Sequence, residues 1–222
     1  MSFLYLLSTF LNALRIYLLP YICAYCKKFL SIKDILCAEC KNKIIPIVSK
    51  KIDITPTISM TVFALSDYKD PLKKLILGKS WSDSLMSYYL GQLVWEKIPI
   101  KDLDFDIIVP IPLHWTRYAW RGFNQAHEIA RVIGKKKKVP VCHVIRRKKQ
   151  TVYQSAIASH ARGENVKNAF ILNNTYIKEC EGAHILLVDD LLTTGATVRA
   201  VAKILLALKP RKITVVVACR VI

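Results

Sequence analysis

The chain has 222 residues, of which 53% are hydrophobic and 23% are charged, and it contains no repeat or low-complexity tract. The absence of repeats excludes a repeat protein. The length allows one α/β domain of about 150 residues with a small additional module. The formal net charge of +18 would make a compact chain repel itself unless an anionic partner or counterions screen it.

The first 20 residues are predicted to form a helix. The apolar stretch from Phe3 to Ile22 is long enough to cross a bilayer, but Asn12 and Arg15 interrupt it and Pro20 nearly ends it. We favour an amphipathic helix packed on protein over attachment to a membrane. There is no basic n-region and no small-residue cleavage site, so we expect no cleaved signal peptide.

Four cysteines form two C-x2-C pairs separated by ten residues, within a module and connection predicted over 21–56: Cys23, Cys26, Cys37 and Cys40. Four thiolates at this spacing are typical of a structural zinc site. Two disulfides or a redox pair are the alternatives, and structural zinc is favoured because no secretory signal is present. The isolated cysteines are expected to be ordinary buried thiols: Cys142, Cys180 and Cys219.

A lysine- and proline-containing connection from Lys41 to Pro56 leads into an α/β domain over 57–222. The predicted strands are Ser59 to Leu65, Phe105 to Ile111, Val139 to Val144, Ile185 to Val188 and Ile213 to Val217. Helical spacing covers Asp67 to Lys97, Gly122 to Ile133 and Thr197 to Leu208. Alternating strands and helices predict a mostly parallel sheet with flanking helices.

Between Ile129 and Gly163 the chain has ten basic residues and no acidic residue: Arg131, Lys135 to Lys138, Arg146 to Lys149, and Arg162. Just before this block, His114, Trp115, Tyr118 and Trp120 are interleaved with Arg117 and Arg121. Such a mixture can stack the bases and hold the phosphates of a single strand. A solvated basic face, with aromatic core packing and a pyrophosphate clamp, is the alternative. The candidate nucleic-acid residues are Arg146, Arg147, Lys148, Lys149, Trp115 and Trp120.

Asp189 and Asp190 directly follow a predicted buried strand, at the carboxyl end where open parallel sheets bind ligands. The next residues combine hydroxyls, a glycine and the N–H groups of a helix start: Thr193, Thr194, Gly195, Ala196 and Thr197. These groups favour a phosphate, and the ionised carboxylates can accept hydrogen bonds from two ribose hydroxyls. An ordinary capped loop needs one such residue rather than six. Neither a Walker-type loop nor a dinucleotide fingerprint is present.

The stretch V-D-D-L-L-T-T-G-A-T resembles the phosphoribosyl pyrophosphate (PRPP) loop of type I phosphoribosyltransferases. It follows the cysteine array, D-I-I-V-P-I-P-L-H-W-T-R-Y-A-W-R-G-F-N-Q-A and Q-x7-R-x2-N. In this order the motifs resemble the ComF family of competence proteins along nearly the whole chain. The resemblance implies a zinc finger joined to a phosphoribosyltransferase-fold domain that acts on incoming single-stranded DNA in the cytoplasm.

The same resemblance implies roles for individual residues. Asp189 and Asp190 would hold the ribose, residues 193–197 the 5-phosphate, and Pro112 to Arg121, with Arg117 and Arg121, the pyrophosphate. Mg2+ would bridge pyrophosphate and ribose. The segment Gln154 to Asn165 would close over PRPP and supply Arg162. If the chain is catalytic, a nitrogen nucleophile would displace pyrophosphate, with Asp189, Asp190 and Arg162 as catalytic residues.

Three functions remain open at the level of sequence. The first is a competence factor that binds PRPP and single-stranded DNA, with or without turnover. The second is a small-molecule phosphoribosyltransferase of salvage or biosynthesis, and the third is an adaptor that PRPP regulates. In the third, the zinc module and N-terminal helix would dock partners such as a competence helicase. We expect a cytoplasmic protein, with contact to the inner face of the membrane through residues 3–22 as an alternative.

Overall fold

The computed structural model describes residues 21–77, 84–113, 115–148 and 169–221, with backbone alone for 48–50, 77 and 115–117. The predicted helix over 1–20 lies outside the described residues, as do Lys149 and the predicted closing loop over 154–165 with Arg162. None of the described helices combines the length and the apolar character that a bilayer-spanning helix requires.

The cysteine module opens the described part of the chain. Strands β1 (Tyr21–Ile22) and β2 (Phe29–Leu30) pair antiparallel, and helix α1 (Ala38–Asn42) follows. Leu36 and Ile44 of this module are only 2% exposed, and they belong to the same hydrophobic cluster as residues of the main sheet. Because the module shares a core with the α/β domain, we expect the stability of the two parts to be coupled.

The α/β domain contains a five-stranded sheet. Its strands are β3 (Ile47–Asp53), β4 (Ser59–Asp67), β5 (Ile107–Pro110), β8 (His184–Leu192) and β9 (Lys212–Arg220). A separate antiparallel pair consists of β6 (Ile145–Arg147) and β7 (Phe170–Leu172). The order in the main sheet is β3-β4-β9-β8-β5, and all its neighbours except β3 and β4 pair in parallel. The predicted mostly parallel α/β fold is therefore confirmed.

Helices cover both faces of this sheet. They are α2 (Leu72–Leu77), α3 (Ser84–Lys97), α4 (Trp115–Arg121), α5 (Gln125–Lys137), α6 (Ile177–Cys180) and α7 (Ala196–Leu205). Along β8, Leu186 and Val188 join the core that contains α3 and α5, whereas Ile185 and Leu187 join the core that contains α7. The continuous apolar run in β8 is thus explained by burial of the strand on both faces.

The predicted connection from Lys41 to Pro56 is not entirely irregular, because it contains β3. This strand pairs antiparallel with β4 at the edge of the main sheet. Ile52 and Ile54 are buried, and the exposed Asp53 lies between them. An alternation of apolar and polar residues over only three positions is difficult to distinguish from a loop in a sequence. This explains why β3 was not predicted.

The strand predicted over Val139 to Val144 is wrong. Within this range, only Val141 bridges to the main sheet, opposite Ile108 of β5. Pro140 has no N–H group to donate, so it cannot extend a ladder in both directions. The chain leaves the sheet after this bridge, and regular pairing resumes only at β6.

The helices differ from their predicted bounds mainly at their ends. The helical spacing of Asp67 to Lys97 is divided between α2 and α3, and Asp67 itself ends β4. The helix predicted from Gly122 is α5, which begins three residues later because the Asn124 side chain accepts a hydrogen bond from the Ala126 N–H at 3.1 Å. The helix predicted over Thr197 to Leu208 is confirmed as α7 with a following 3-10 turn.

Candidate functional site

Asp189 and Asp190, which we call the acid pair, lie near the carboxyl end of β8. The pairing of β5 with β8 ends at Pro110 opposite Val188, whereas β9 stays paired with β8 as far as Leu192. The sequence predicted that this strand ends at Val188. Its pairing with β5 does end there, but the strand continues beside β9 for four more residues. On the β5 side, the acid pair lies beyond the last paired residue, at the edge where parallel sheets bind ligands.

The two carboxyl groups of the acid pair differ in environment. Asp189 is buried, and one of its oxygens, Oδ1, accepts a hydrogen bond from the Asp190 N–H at 2.9 Å. Burial and, next, the neighbouring Asp190 raise the pKa of Asp189 well above its usual value, while the positive charge of Arg147 acts in the opposite direction. A buried carboxyl perturbed in this way, at the ligand edge of a sheet, is a functional-site candidate.

Residues 193–197, which we call the hydroxyl loop, connect β8 to α7. Thr193 and Thr194 are exposed, and the Thr194 hydroxyl oxygen accepts a hydrogen bond from the Ala196 N–H at 3.3 Å. Thr197 lies in the first turn of α7, whose free N–H groups favour an anion. The loop therefore presents hydroxyl and N–H donors immediately after the acid pair.

Gly195 gives the hydroxyl loop its shape. Its φ of +75° lies in the left-handed region that glycine adopts without strain, and a Cβ here would lie 3.2 Å from Cδ1 of Ile52 on β3. Beyond it, Arg199 Nε donates a hydrogen bond to the Asp53 carbonyl oxygen at 2.9 Å. The edge strand β3, which was not predicted, therefore packs against the hydroxyl loop and the start of α7.

The basic strand β6 carries Arg146 and Arg147. The Arg147 guanidinium lies 5.1 Å from the centroid of the Phe170 ring on β7. When the Asn173 amide oxygen faces Arg146, it accepts from Nε and from a terminal guanidinium nitrogen at 3.1 Å each. Both arginines thus have a neighbour that orients the guanidinium group.

A cavity of about 490 Å³ lies beside β6, and we call it the β6 cavity. The residues that line it come from the loop after β5, from α4, from β6 with its flanking residues, and from the turn after β7. They are Pro112, Leu113, Tyr118, His143, Ile145, Arg146, Arg147, Lys148, Asn173 and Tyr176. Among these described residues there are three permanent cations and no carboxylate.

The predicted nucleic-acid residues are only partly brought together. Arg146, Arg147 and Lys148 line the β6 cavity, whereas Trp120 is 79% exposed and does not line it. Arg121, predicted to lie on the pyrophosphate side, ends α4 and also lies outside the lining. The side chains of Trp115 and Arg117, like Lys149 and Arg162, lie outside the described residues.

Four lining residues of the β6 cavity were not predicted as candidates, namely the apolar Ile145 and three polar residues: His143, Asn173 and Tyr176. Tyr176 follows β6 by about 30 residues and reaches the cavity through the pairing of β6 with β7. No local pattern identifies Asn173 or Tyr176. The electrostatic influence of Arg147 on Asp189 was also not predicted, because Arg147 was assigned to a separate basic face.

The four predicted cysteine ligands converge. Their sulfur atoms all lie within 4.8 Å of one another, and the Cys26 and Cys37 sulfurs are 3.6 Å apart. Sulfurs about 3.8 Å apart are expected around a tetrahedral zinc ion with Zn–S distances near 2.3 Å. This cluster of free thiols can therefore hold a metal ion such as zinc.

The backbone of the cysteine module favours thiolate at one of these positions. Burial alone would raise the pKa of Cys23, but backbone N–H groups of Cys26, Cys37 and Tyr25 lower it to about 6. Burial and hydrogen bonds to the neighbouring thiols instead raise the pKa of Cys40. Oriented N–H donors around a sulfur are the arrangement that a bound thiolate requires.

Known proteins show similarity to most of the chain. A family model described as phosphoribosyl transferase domain matches residues 119–222. Competence protein F of Haemophilus influenzae is 29% identical over 68% of this chain and 69% of its own length. DNA utilization protein YhgH of Salmonella typhi is 30% identical over 71% of this chain and 70% of its own length. The solved adenine phosphoribosyltransferase of Thermoanaerobacter pseudethanolicus is 16% identical, covers 82% of this chain and 98% of its own, and has a TM-score of 0.36.

The sheet topology, the family match and the cysteine cluster define an α/β protein of the phosphoribosyltransferase type with an N-terminal four-cysteine module. The chain belongs to the ComF family. The resemblance predicted from the motif order is therefore confirmed.

Proposed function

We propose that this protein binds PRPP at the acid pair and handles incoming single-stranded DNA during natural transformation. The observation that carries the PRPP assignment is the buried acid pair, followed directly by the hydroxyl loop at the open edge of the sheet. The printed names of the relatives, competence protein and DNA utilization protein, support the biological role. We assign the protein to the cytoplasm, where a transported single strand would arrive.

In this proposal, each part of the site holds one part of PRPP. Asp189 and Asp190 accept hydrogen bonds from the ribose hydroxyls, since ionised carboxylates are acceptors only. Residues 193–197 hold the 5-phosphate with hydroxyl and N–H donors, as the start of a helix favours an anion. The segment from Pro112 to Arg121, which follows the neighbouring strand β5, holds the pyrophosphate.

Arg147 has a second role in the proposal. Its charge opposes the rise in the pKa of Asp189 that burial and Asp190 cause, and so favours the ionised carboxylate that accepts hydrogen bonds. Mg2+ bound with PRPP would supply further positive charge to the pyrophosphate and ribose oxygens. If PRPP is turned over, the same positive groups would stabilise the departing pyrophosphate.

Single-stranded DNA is assigned to the basic surface around Arg146 to Lys149. The net charge of +18 supports an anionic partner, and the arginines of β6 are oriented by Phe170 and Asn173. Phosphate contacts of this kind make DNA affinity fall as salt concentration rises. Zinc bound by the four cysteines would stabilise the module that packs on this domain.

The test of PRPP binding is isothermal titration calorimetry with PRPP and Mg2+. We expect the double variant D189N/D190N to bind at least about tenfold more weakly, because the lost charge-assisted hydrogen bonds contribute roughly 1.5–3 kcal/mol each. Asp102→Asn, an exposed carboxylate in the turn before β5, is the matched control and should bind normally. Identical heats from wild type and the double variant would contradict the ribose assignment.

A pyrophosphate-release assay separates the alternatives. Release that requires a free nucleobase or amine, by a protein without affinity for single-stranded DNA, would favour a small-molecule transferase. Salt-sensitive DNA binding without release would favour a binding protein that PRPP regulates. Our proposal expects DNA affinity that decreases with salt whether or not pyrophosphate is released.

A further inference from the structure

We propose that the β6 cavity binds a single nucleotide of a DNA strand. Its base would lie against the rings of Tyr118 and Tyr176, and its phosphate would contact Arg146 and Arg147. This inference rests on the proposed function, because it takes single-stranded DNA as the ligand. It adds a defined pocket to what would otherwise be a general basic surface.

The charge of the lining selects an anion. Arg146, Arg147 and Lys148 all line the cavity, and the described lining contains no Asp or Glu. Arg146 and Lys148 are exposed and Arg147 is half-buried, so the positive charge faces a space that solvent or a ligand can enter. A phosphate group can receive parallel N–H hydrogen bonds from a guanidinium at such a position.

The remaining lining selects an anion with a flat apolar part. Tyr118 is 53% exposed on α4, and Tyr176 is half-buried at the end of the turn after β7. Pro112, Leu113 and Ile145 add apolar surface to the same cavity. Bases stack on such rings whatever their identity, whereas a phosphorylated sugar has no face to stack. The volume of about 490 Å³ lies in the range typical of small-ligand sites.

The arginines are already oriented for binding. Asn173 is only 6% exposed and its amide faces Arg146, while the Phe170 ring packs against Arg147 at 5.1 Å. Side chains that are ordered before binding lose less conformational entropy when the ligand arrives. This arrangement distinguishes the β6 cavity from an ordinary run of solvated lysines.

Arg147 also connects the cavity with the acid pair. It lines the cavity, and its charge acts on Asp189. A nucleotide in the β6 cavity would therefore lie close to the acid pair, which does not line the cavity. D189N/D190N should accordingly leave nucleotide binding in place. Pro112, Leu113 and Tyr118 of the lining belong to the segment proposed to hold the pyrophosphate.

The experiment measures binding of three probes to the full chain: deoxyadenosine 5′-monophosphate, 2-deoxyribose 5-phosphate and a fluorescent oligodeoxythymidylate. We expect the nucleotide to bind more tightly than the sugar phosphate. Tyr118→Leu and Tyr176→Leu should each weaken nucleotide and oligonucleotide binding about tenfold, because stacking contributes that much per base. Arg146→Gln should weaken both further and reduce the salt dependence of oligonucleotide binding.

Two control variants make the same kinds of substitution at residues outside the β6 cavity. Phe29→Leu removes a more exposed aromatic ring from β2, and Arg131→Gln removes a guanidinium from α5; neither residue lines the β6 cavity. Both should bind all three probes like wild type. Tyr118 lies at the surface, so its variant should fold even if Tyr176→Leu does not.

Equal loss in Phe29→Leu and Tyr118→Leu would overturn the proposal, as would equal affinity for the nucleotide and the sugar phosphate. PRPP titrations of the same variants distinguish this failure from failure of the proposed function. If the tyrosine variants bind nucleotide normally while D189N/D190N loses PRPP binding, only the β6 cavity assignment is wrong. If D189N/D190N binds PRPP normally, the PRPP assignment is wrong whatever the nucleotide result.

Discussion

Two of the cavities in the described part of the protein are similar in size but differ in how their charges are arranged. One, which we call the module cavity, has a volume of about 590 Å³ and lies between the cysteine module, α3 and α5. Its charged lining residues comprise three of each sign: Lys33, Asp34, Lys41, Glu96, Glu128 and Arg131. The β6 cavity, of about 490 Å³, has basic residues and no acidic residue in its described lining.

In the module cavity, charges pair with one another. Lys41 Nζ lies 2.6 Å from Asp34 and 3.4 Å from Glu96, and Arg131 lies 2.8 Å from Glu128. Paired charges contribute to folding and leave little charge for a ligand. The β6 cavity and the acid pair show the opposite arrangement, with like charges collected at one place. Removing a paired charge should therefore destabilise the fold, whereas removing one of a group of like charges should not.

The largest effect is expected from metal removal, which would dismantle one wall of the module cavity. Structural zinc contributes many kcal/mol to the folding of small modules, and Leu36 and Ile44 connect this module to the main core. A strong zinc chelator, or Cys40→Ser, should lower the melting temperature by about 10 °C or more. Thermal unfolding followed by circular dichroism measures this change.

Cys219→Ala is the control, because Cys219 is a buried thiol outside the four-cysteine cluster. Its melting temperature should change less than that of Cys40→Ser, and it should remain sensitive to the chelator. A wild-type melting temperature that does not respond to the chelator would contradict a structural metal. Nucleotide binding at the β6 cavity should survive in the protein that stays folded without metal.

An intermediate effect is expected from Lys41→Met. Burial alone would lower the pKa of Lys41, but Asp34 and Glu96 raise it, so the stabilising contribution is fully present at neutral pH and is lost only as the pH rises through that raised pKa. The variant leaves two carboxylates without this partner, and urea unfolding at neutral pH should show a loss of about 1.5 kcal/mol.

Lys28→Met provides the comparison, since Lys28 forms an exposed ion pair with Glu39 at 2.8 Å. Exposed pairs contribute little, so its urea midpoint should match that of wild type. If both lysine variants behave alike, the pairing in the module cavity does not stabilise the protein. Neither variant should change nucleotide binding.

The smallest effect, and one of opposite sign, is expected from Asp189→Asn. Burial and Asp190 raise the pKa of Asp189, so wild type loses stability as the pH rises through that pKa and the carboxyl ionises. The amide cannot ionise, and the variant should be more stable by about 1 kcal/mol at neutral pH, as is common when a functional charge is removed. Urea unfolding at several pH values between about 5 and 8 measures the difference.

The stability gap between Asp189→Asn and wild type should widen as the pH rises. Asp190→Asn, at the less buried member of the acid pair, should give a smaller gain. A destabilised Asp189→Asn protein, or a gap independent of pH, would show that the acid pair is structural. The contrast with Lys41→Met would then disappear.

Local patterns account for the elements that were predicted well. The run from Ile185 to Val188, the glycine at 195 and the amphipathic spacing after it locate β8, the hydroxyl loop and α7 within a few residues, because each depends on neighbours in sequence. The four-cysteine cluster could be predicted equally well, since two short C-x2-C pairs bring their sulfur atoms together largely through local backbone geometry.

The failures involve partners that are distant in sequence. β3 is a strand because β4 is beside it, and the predicted strand around Val141 is a single bridge because β6 pairs with β7. Tyr176 lines the β6 cavity without belonging to any motif, and only the pairing of β6 with β7 brings it there. The role of Trp120, which is 79% exposed outside that cavity, stays a prediction.

By itself, the sequence determined which chemical groups this protein has: four thiols, two adjacent carboxylates, a hydroxyl-rich loop and a block of basic residues. Spacing of a few residues was enough, because a turn or strand end brings such neighbours together. Only the tertiary structure decided which charges pair with an opposite charge in the module cavity and which gather in the lining of the β6 cavity. Lys41 meets Glu96, and Arg147 acts on Asp189, because packing of the sheet and its helices places them together across distances that no local pattern encodes.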